Sequence, residues 1–189
     1  MPQNNIQMFQ IKKQFFKLFG GAVRIYNQQN NLIAYIEQKA FKLKEDIQIF
    51  TNESKSQLIM VIRARSILDF GAIYDVWLAN GQKVGALRRD FVNSLFRDKW
   101  LILDINDNVI GEITEDMPIL ALARRFLSNL IPQGYDGVVM NQKIFELNQK
   151  FNPFVYHADI VVYNPNNPYN FYIALAGCTL LSLIEGRQS

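Results

Sequence analysis

The most constraining feature of this sequence is an uncharged stretch near its C-terminus, FYIALAGCTLLSLI, at residues 171–184. On a helix its large apolar side chains would point to all sides, and a helix that is apolar on every face must be enclosed on every face. The stretch has 14 residues, fewer than the roughly 20 that span a bilayer. It therefore predicts a buried central helix, with a membrane anchor as the alternative.

Composition fits one globular domain over residues 1–189 with a large core. The chain is 49% apolar and 20% charged, and we find no linker or low-complexity segment within it. A net charge of +3 is too small to favour nucleic-acid binding. The single cysteine forms no internal disulfide, and the first residues, Met-Pro-Gln-Asn-Asn-Ile, lack the features of a signal peptide. We therefore expect a cytoplasmic protein.

Most of the chain repeats one pattern: an apolar strand, a turn rich in Asn, Asp or Gly, and a second apolar strand. This pattern is typical of β-hairpins, and Asn80-Gly81 is the strongest hairpin-turn signal in the sequence. The predicted hairpins pair residues 22–26 with 32–37, 46–51 with 57–64, 73–78 with 83–88, 100–105 with 109–114, and 138–140 with 143–147. Residues 154–163 add a last strand and residues 6–19 a first one, for which an amphipathic helix is the alternative. About twelve strands at this spacing predict an all-β barrel or sandwich.

One helix is predicted among the strands. Apolar residues recur at helical spacing over residues 117–130, Asp116 can cap the helix, and Pro132 lies just beyond its end. Because this segment is amphipathic, we expect it on the outside of the domain.

The order of elements and four stretches of sequence carry a resemblance to a known family. The stretches are Ile25-Tyr26 with residues 32–36, residues 84–89 followed by 96–102, residues 109–113, and Asn-Pro before the final apolar stretch. In these the chain resembles the tubby C-terminal-like superfamily, and within it the LURP-one-related branch. The resemblance covers roughly residues 15–185 and implies an antiparallel, closed twelve-stranded barrel threaded by a hydrophobic C-terminal helix. It also implies a non-enzymatic binding or scaffold domain, with lipid or membrane association known in two branches.

Two branches of the superfamily suggest different lipid functions. Tubby proteins bind phosphoinositides through a basic-x-basic pair on a strand, and Arg63-Ala-Arg65 has that spacing. Phospholipid scramblases carry an acidic calcium segment before the last helix and a cysteine cluster. Here residues 163–170 contain no acid, and Cys178 is the only cysteine. Both departures argue against calcium-driven scrambling. A scramblase-like lipid-handling protein with a membrane-inserted C-terminal helix stays the alternative function.

The candidate site is a set of basic residues. Arg63 and Arg65 alternate on one predicted strand and so share a face, and guanidinium forks match phosphate geometry. The full set of candidates for binding an anion or lipid head group is Arg63, Arg65, Arg88, Arg89, Arg97 and Lys99. The alternative is a solvated exterior balanced by nearby aspartates. The expected partner is anionic membrane lipid, bound peripherally, with a protein partner as the second possibility and no nucleic acid.

Residues for catalysis or metal binding are few. Cys178 lies within the apolar helix, where a thiol stays protonated. His157 shares a strand face with Asp159, which leaves an orienting His–Asp pair or an exposed polar pair. Residues 104–115 have oxygen side chains at calcium-loop positions, but Val109 stands where the loop needs glycine. We therefore expect no enzymatic activity, no cofactor and no metal site.

Overall fold

The structure is a computed structural model that describes residues 5–16, 20–38, 46–65, 72–90, 99–116, 132–152 and 155–184. These residues form twelve strands and one helix. The strands are β1 Ile6–Phe16, β2 Gly20–Asn27, β3 Leu32–Gln38, β4 Ile47–Phe50, β5 Leu58–Ala64, β6 Ile73–Leu78, β7 Lys83–Arg89, β8 Lys99–Leu103, β9 Val109–Glu115, β10 Gly134–Val139, β11 Gln142–Lys150 and β12 Tyr156–Tyr163. The helix, α1, spans Pro168–Ile184.

The strands form a closed antiparallel barrel in which each strand pairs with its neighbours in sequence. β1 closes the barrel by pairing with β12 on one side and β2 on the other, with Ile11 opposite Ala158 and Ile25. The predicted closed barrel of about twelve strands around a C-terminal helix is therefore confirmed. The first segment is a strand over Ile6–Phe16, so the strand prediction is right there and the helical alternative is wrong.

The boundaries of one hairpin differ from the prediction. β10 begins at Gly134, four residues before the predicted strand, and the chain reverses at Met140 and Asn141 rather than at Asn141 and Gln142. Both turn residues have positive φ, 48° and 61°, as a two-residue type I′ turn requires. The sequence conceals this turn because methionine rarely adopts positive φ.

Helix α1 lies inside the barrel. It is buried from Ile173 to Leu183, as its uniform apolar surface predicts. Its start is well specified: Asn167 caps the helix by accepting a hydrogen bond from the Tyr169 amide at 3.1 Å. Pro168 occupies the first helical position, where the missing N–H costs no hydrogen bond.

A close contact between α1 and the wall depends on two glycines. The fully buried ring of Phe145 fills the space between β10 and the helix. A Cβ atom at Gly177 would lie 3.1 Å from the ring, and one at Gly137 would overlap it. Glycine at both positions lets an aromatic side chain pack between two backbones.

The barrel has two ends that differ in their connections. Six turns, over residues 28–31, 51–57, 79–82, 104–108, 140–141 and 164–167, lie at the end where α1 begins, which we call the turn end. The helix runs from there to the opposite end. The amphipathic helix predicted over residues 117–130 lies outside the described residues.

Candidate anion-binding face

The two arginines of the basic-x-basic pair lie on the outer surface. Met60 and Ile62 of β5 are fully buried, while Arg63 is exposed and Arg65 follows on the same side. This confirms that the two side chains share a face. The Arg63 guanidinium binds the Asp46 carboxylate at 2.9 Å, and the hydrogen bond raises the Arg63 pKa. The Arg63 side chain stays 56% exposed.

Arg65 belongs to a network of four charges that we call the Arg65 cluster: Arg65, Asp75, Lys83 and Asp107. Arg65 binds Asp75 through two N–H groups at 2.7 and 2.6 Å, and Asp107 through two contacts at 2.8 and 2.6 Å. Lys83 reaches Asp75 at 3.2 Å and Asp107 at 3.3 Å. Two carboxylates therefore hold the Arg65 fork on both of its edges.

The strand register explains why these four residues meet. Asp75 lies opposite Arg63 on one side and Ala86 on the other, and Ala86 lies opposite Leu103. The turn over residues 104–108 follows Leu103 directly, so Asp107 comes beside the ends of the Arg65 and Lys83 side chains. Hydrogen bonding by Arg65 lowers the Asp107 pKa.

The charge on Asp75 is stabilised in the same way. Burial opposes its ionisation, but hydrogen bonds from Arg65 and Lys83 outweigh that effect and lower its pKa. The pKa of Arg65 is raised by the hydrogen bonds to Asp75 and Asp107. Arg65, Asp75 and Asp107 therefore stay ionised near neutral pH, and the formal charges of the four residues sum to zero.

The structure does not bring the other basic candidates to one point. Arg88 faces outward opposite Ile73 and Leu101. Arg89 faces the opposite way, on the inward row with Leu87 and Trp100, and its Nε is buried. Lys99 is outward and pairs with Glu112 at 2.6 Å. Arg97 lies outside the described residues.

The residues considered for catalysis are Cys178, His157 and Asp159. Cys178 is buried in α1, and burial raises the pKa of its thiol. His157 and Asp159 share the outer face of β12, but the Asp159 carboxylate binds Lys150 at 2.8 Å. Burial, followed by the charge of Lys150, lowers the His157 pKa. The Asp159 carboxylate is thus already bonded on one oxygen by a lysine rather than by the imidazole.

The calcium-like segment is a hairpin turn. The Asp104 carboxylate accepts hydrogen bonds from the amides of Asn106 and Asn108 at 2.8 and 2.9 Å, and Asp107 belongs to the Arg65 cluster. The carboxylate oxygens of this segment therefore accept hydrogen bonds from the turn and from the Arg65 cluster. Within the described ranges no group of three or more His, Cys, Asp or Glu residues could hold a metal ion.

Sequence reasoning missed two charged residues inside the barrel. Lys13 is completely buried, and its ammonium donates to the Ser182 carbonyl near the end of α1 at 2.8 Å. Glu115 is also buried, on the inward row of β9 with Ile113. The available signal was alternation, because Phe9, Ile11 and Lys13 fall on one face of β1.

No known protein family, curated protein or solved structure matches this chain. Over the part of the chain that the structure describes, no helix has the length and apolarity needed to cross a membrane.

Proposed function

We propose that this chain is a non-enzymatic binding or scaffold domain of LURP-one-related type that docks peripherally on anionic phospholipid through outward arginines of β5 and β7. The observation that carries the proposal is the enclosure of α1. Because the apolar helix fills the barrel, a partner meets the outer surface, and the candidate groups there are guanidinium forks rather than a nucleophile and its base.

Arg63 and Arg88 are the arginines best suited to contact a head group. Arg63 is largely exposed, and its one ion pair among the described residues is with the exposed Asp46. Such exposed pairs contribute little to stability, so a phosphate can compete with Asp46 for the fork. Arg88 lies two strands away on the same outer surface and two residues further along, a separation of about 12 Å at the usual strand spacing and rise.

Arg65 has a different role in this proposal. Its fork is held by Asp75 and Asp107, so a phosphate would have to displace a carboxylate. Arg65 therefore holds the turn over residues 104–108 against the wall. Arg63 is the arginine of the basic-x-basic pair whose guanidinium is available to bind phosphate.

The test is binding of the full chain to phosphatidylcholine vesicles that contain phosphatidylserine or a phosphoinositide. Replacing Arg63 and Arg88 by Gln removes two outward charges. We expect affinity to fall roughly thirtyfold, since each basic residue near an anionic surface contributes about 1 kcal/mol. High salt should release the bound protein because surface charge contacts are screened.

The matched control is Lys143→Gln with Lys150→Gln, which removes the same charge from β11. Both lysines are outward and ion-paired, Lys143 with Asp136 and Lys150 with Asp159. The control should bind as the parent does. Equal losses in both double variants would mean diffuse attraction by net charge, and no loss in either would favour a protein partner instead.

A scramblase-like function with α1 in the bilayer makes an opposite prediction. It requires withdrawal of a helix whose residues Ile173–Leu183 are buried in the barrel and whose Ser182 carbonyl binds Lys13. A membrane-bound fraction that resists both salt and alkaline washing would support that function and contradict peripheral docking.

A further inference from the structure

An open groove lies on the outer surface at the β12–β1 seam, beside the turn between β2 and β3. Its volume is about 260 Å³, and it is lined by Met8, Phe9, Gln10, Asn27, Gln28, Asn30 and Asp159. All the polar groups that line it are amides except for the Asp159 carboxylate. We propose that this groove binds a neutral polyhydroxylated ligand, such as a saccharide or polyol.

The Asp159 carboxylate is one of the groups that line the groove. Asp159 lies directly opposite Gln10 in the pairing of β1 with β12, so their Cβ atoms are about 5 Å apart. One carboxylate oxygen accepts from Lys150 at 2.8 Å. The other, Oδ1, is buried and has no hydrogen-bond partner among the described residues. A buried acceptor left unsatisfied is costly, and a ligand hydroxyl would satisfy it once a side-chain shift opens a path from the groove to Oδ1.

The turn between β2 and β3 also contributes to the lining of the groove. Asn27 braces this turn: its side-chain oxygen accepts from the Asn31 amide at 2.8 Å, and its carbonyl accepts from the Asn30 amide at 2.9 Å. Gln28 and Asn30 of this turn line the groove. An amide both donates and accepts, as a hydroxyl does, so amides and a carboxylate together match the alternating donors and acceptors of a vicinal diol.

The charge and apolar surface of the groove select among ligands. The negative charge of Asp159 is compensated by Lys150, so a cation gains little there, and a phosphate would face a carboxylate. Met8 is 43% exposed and offers an apolar surface to the C–H face of a sugar ring. Small-molecule sites commonly combine such a surface with a few convergent polar groups.

The proposal is independent of the arginine face, because the groove shares no residue with it. Two sources of the ligand chemistry are possible: a free saccharide and the sugar of a neutral glycolipid. The probes are therefore glucose, galactose, mannose and myo-inositol in solution, and phosphatidylcholine vesicles with and without galactosylceramide. Binding of the full chain to the soluble probes would be followed by ligand-detected NMR at millimolar concentration.

The decisive variant is Asn30→Gly. Asn30 has a φ of 60°, which glycine adopts without strain, so the substitution removes the amide and leaves the turn intact. We expect Kd to rise about threefold to tenfold, as for the loss of one or two hydrogen bonds. Gln10→Leu should have a similar effect because it removes a second amide of similar size.

The matched control is Asn141→Gly, the same substitution at a φ of 61° in the turn between β10 and β11. It should bind as the parent does. The proposal is overturned if neither the soluble probes nor the glycolipid vesicles bind the parent, or if Asn30→Gly and Asn141→Gly lose the same affinity. Glycolipid binding without binding of the free sugars, lost in Asn30→Gly alone, would support the site and identify its ligand as a membrane lipid.

Discussion

The inner and outer surfaces of the barrel wall each hold a cation, but with different partners. Inside, Lys13 is completely buried, and its ammonium donates to a carbonyl at the end of α1. Outside, Arg65 is partly exposed and is held by two carboxylates from different strands and turns. The inner cation lies at the end of α1, where the helix dipole is negative, and the outer cation is held by carboxylates on the barrel surface. We therefore expect loss of the inner charge to affect folding, whereas the effect of losing an outer charge should depend on how many ion pairs hold it.

The largest effect is expected from a charge placed inside. Leu180 is buried in α1, and Leu180→Asp would put an unpaired carboxylate among apolar side chains, where it costs several kcal/mol or becomes protonated. We expect loss of soluble folded protein, measured by expression and thermal unfolding. Leu180→Met keeps the volume and should cost less than about 1.5 kcal/mol. Native unfolding of the Asp variant would show that α1 is not the core of the domain.

A smaller effect is expected when the inner cation is removed. Lys13→Ala creates a cavity and deletes the hydrogen bond to Ser182, which together should cost about 3 kcal/mol. Lys13→Met retains most of the volume and removes only the polar contacts of the ammonium, so we expect a smaller cost of about 2 kcal/mol. Urea unfolding, followed by tryptophan fluorescence, checks both values. Equal losses would mean that the ammonium contact, rather than packing, holds the helix end.

The contrast between the two surfaces also limits what the sequence predicts. Hairpin turns and the uniformly apolar C-terminal stretch predict an all-β barrel or sandwich and a buried central helix, because both are local patterns. The closed twelve-stranded barrel was what the family resemblance implied. Lys13 could have been found from alternation with Ile11, but a lysine in a strand ordinarily faces water. The meeting of Arg65 with Asp107 was not predictable, since it depends on the stagger that brings the turn over residues 104–108 beside β5.

A moderate effect of acid is expected on the Arg65 cluster. Both aspartates have a lowered pKa in the folded chain, so their contribution to stability is complete above the ordinary aspartate pKa of about 3.9. It is lost as pH falls through the lower, folded values. Unfolding followed from pH 6 downward should therefore show a decline below about pH 4. Asp107→Asn should be less stable at pH 6 and show a shallower decline. An unchanged acid profile would mean that the cluster does not stabilise the wall.

The smallest effect on folding is expected at the arginines proposed to bind lipid. Arg63 is exposed, and its partner Asp46 is exposed too; the pair is screened by solvent and contributes little. Arg88 lies on the same outer surface, so replacing both by Gln should leave the melting temperature within experimental error. The same double variant should lose vesicle binding, which separates a functional charge from a structural one.

Arg65→Gln provides the contrast. It breaks four contacts with Asp75 and Asp107 and should lower the melting temperature, while vesicle binding stays close to that of the parent. If Arg63→Gln with Arg88→Gln destabilises the chain as much as Arg65→Gln does, the outer charges of β5 and β7 are structural, and the distinction between the two surfaces fails at the residues where it matters most for function.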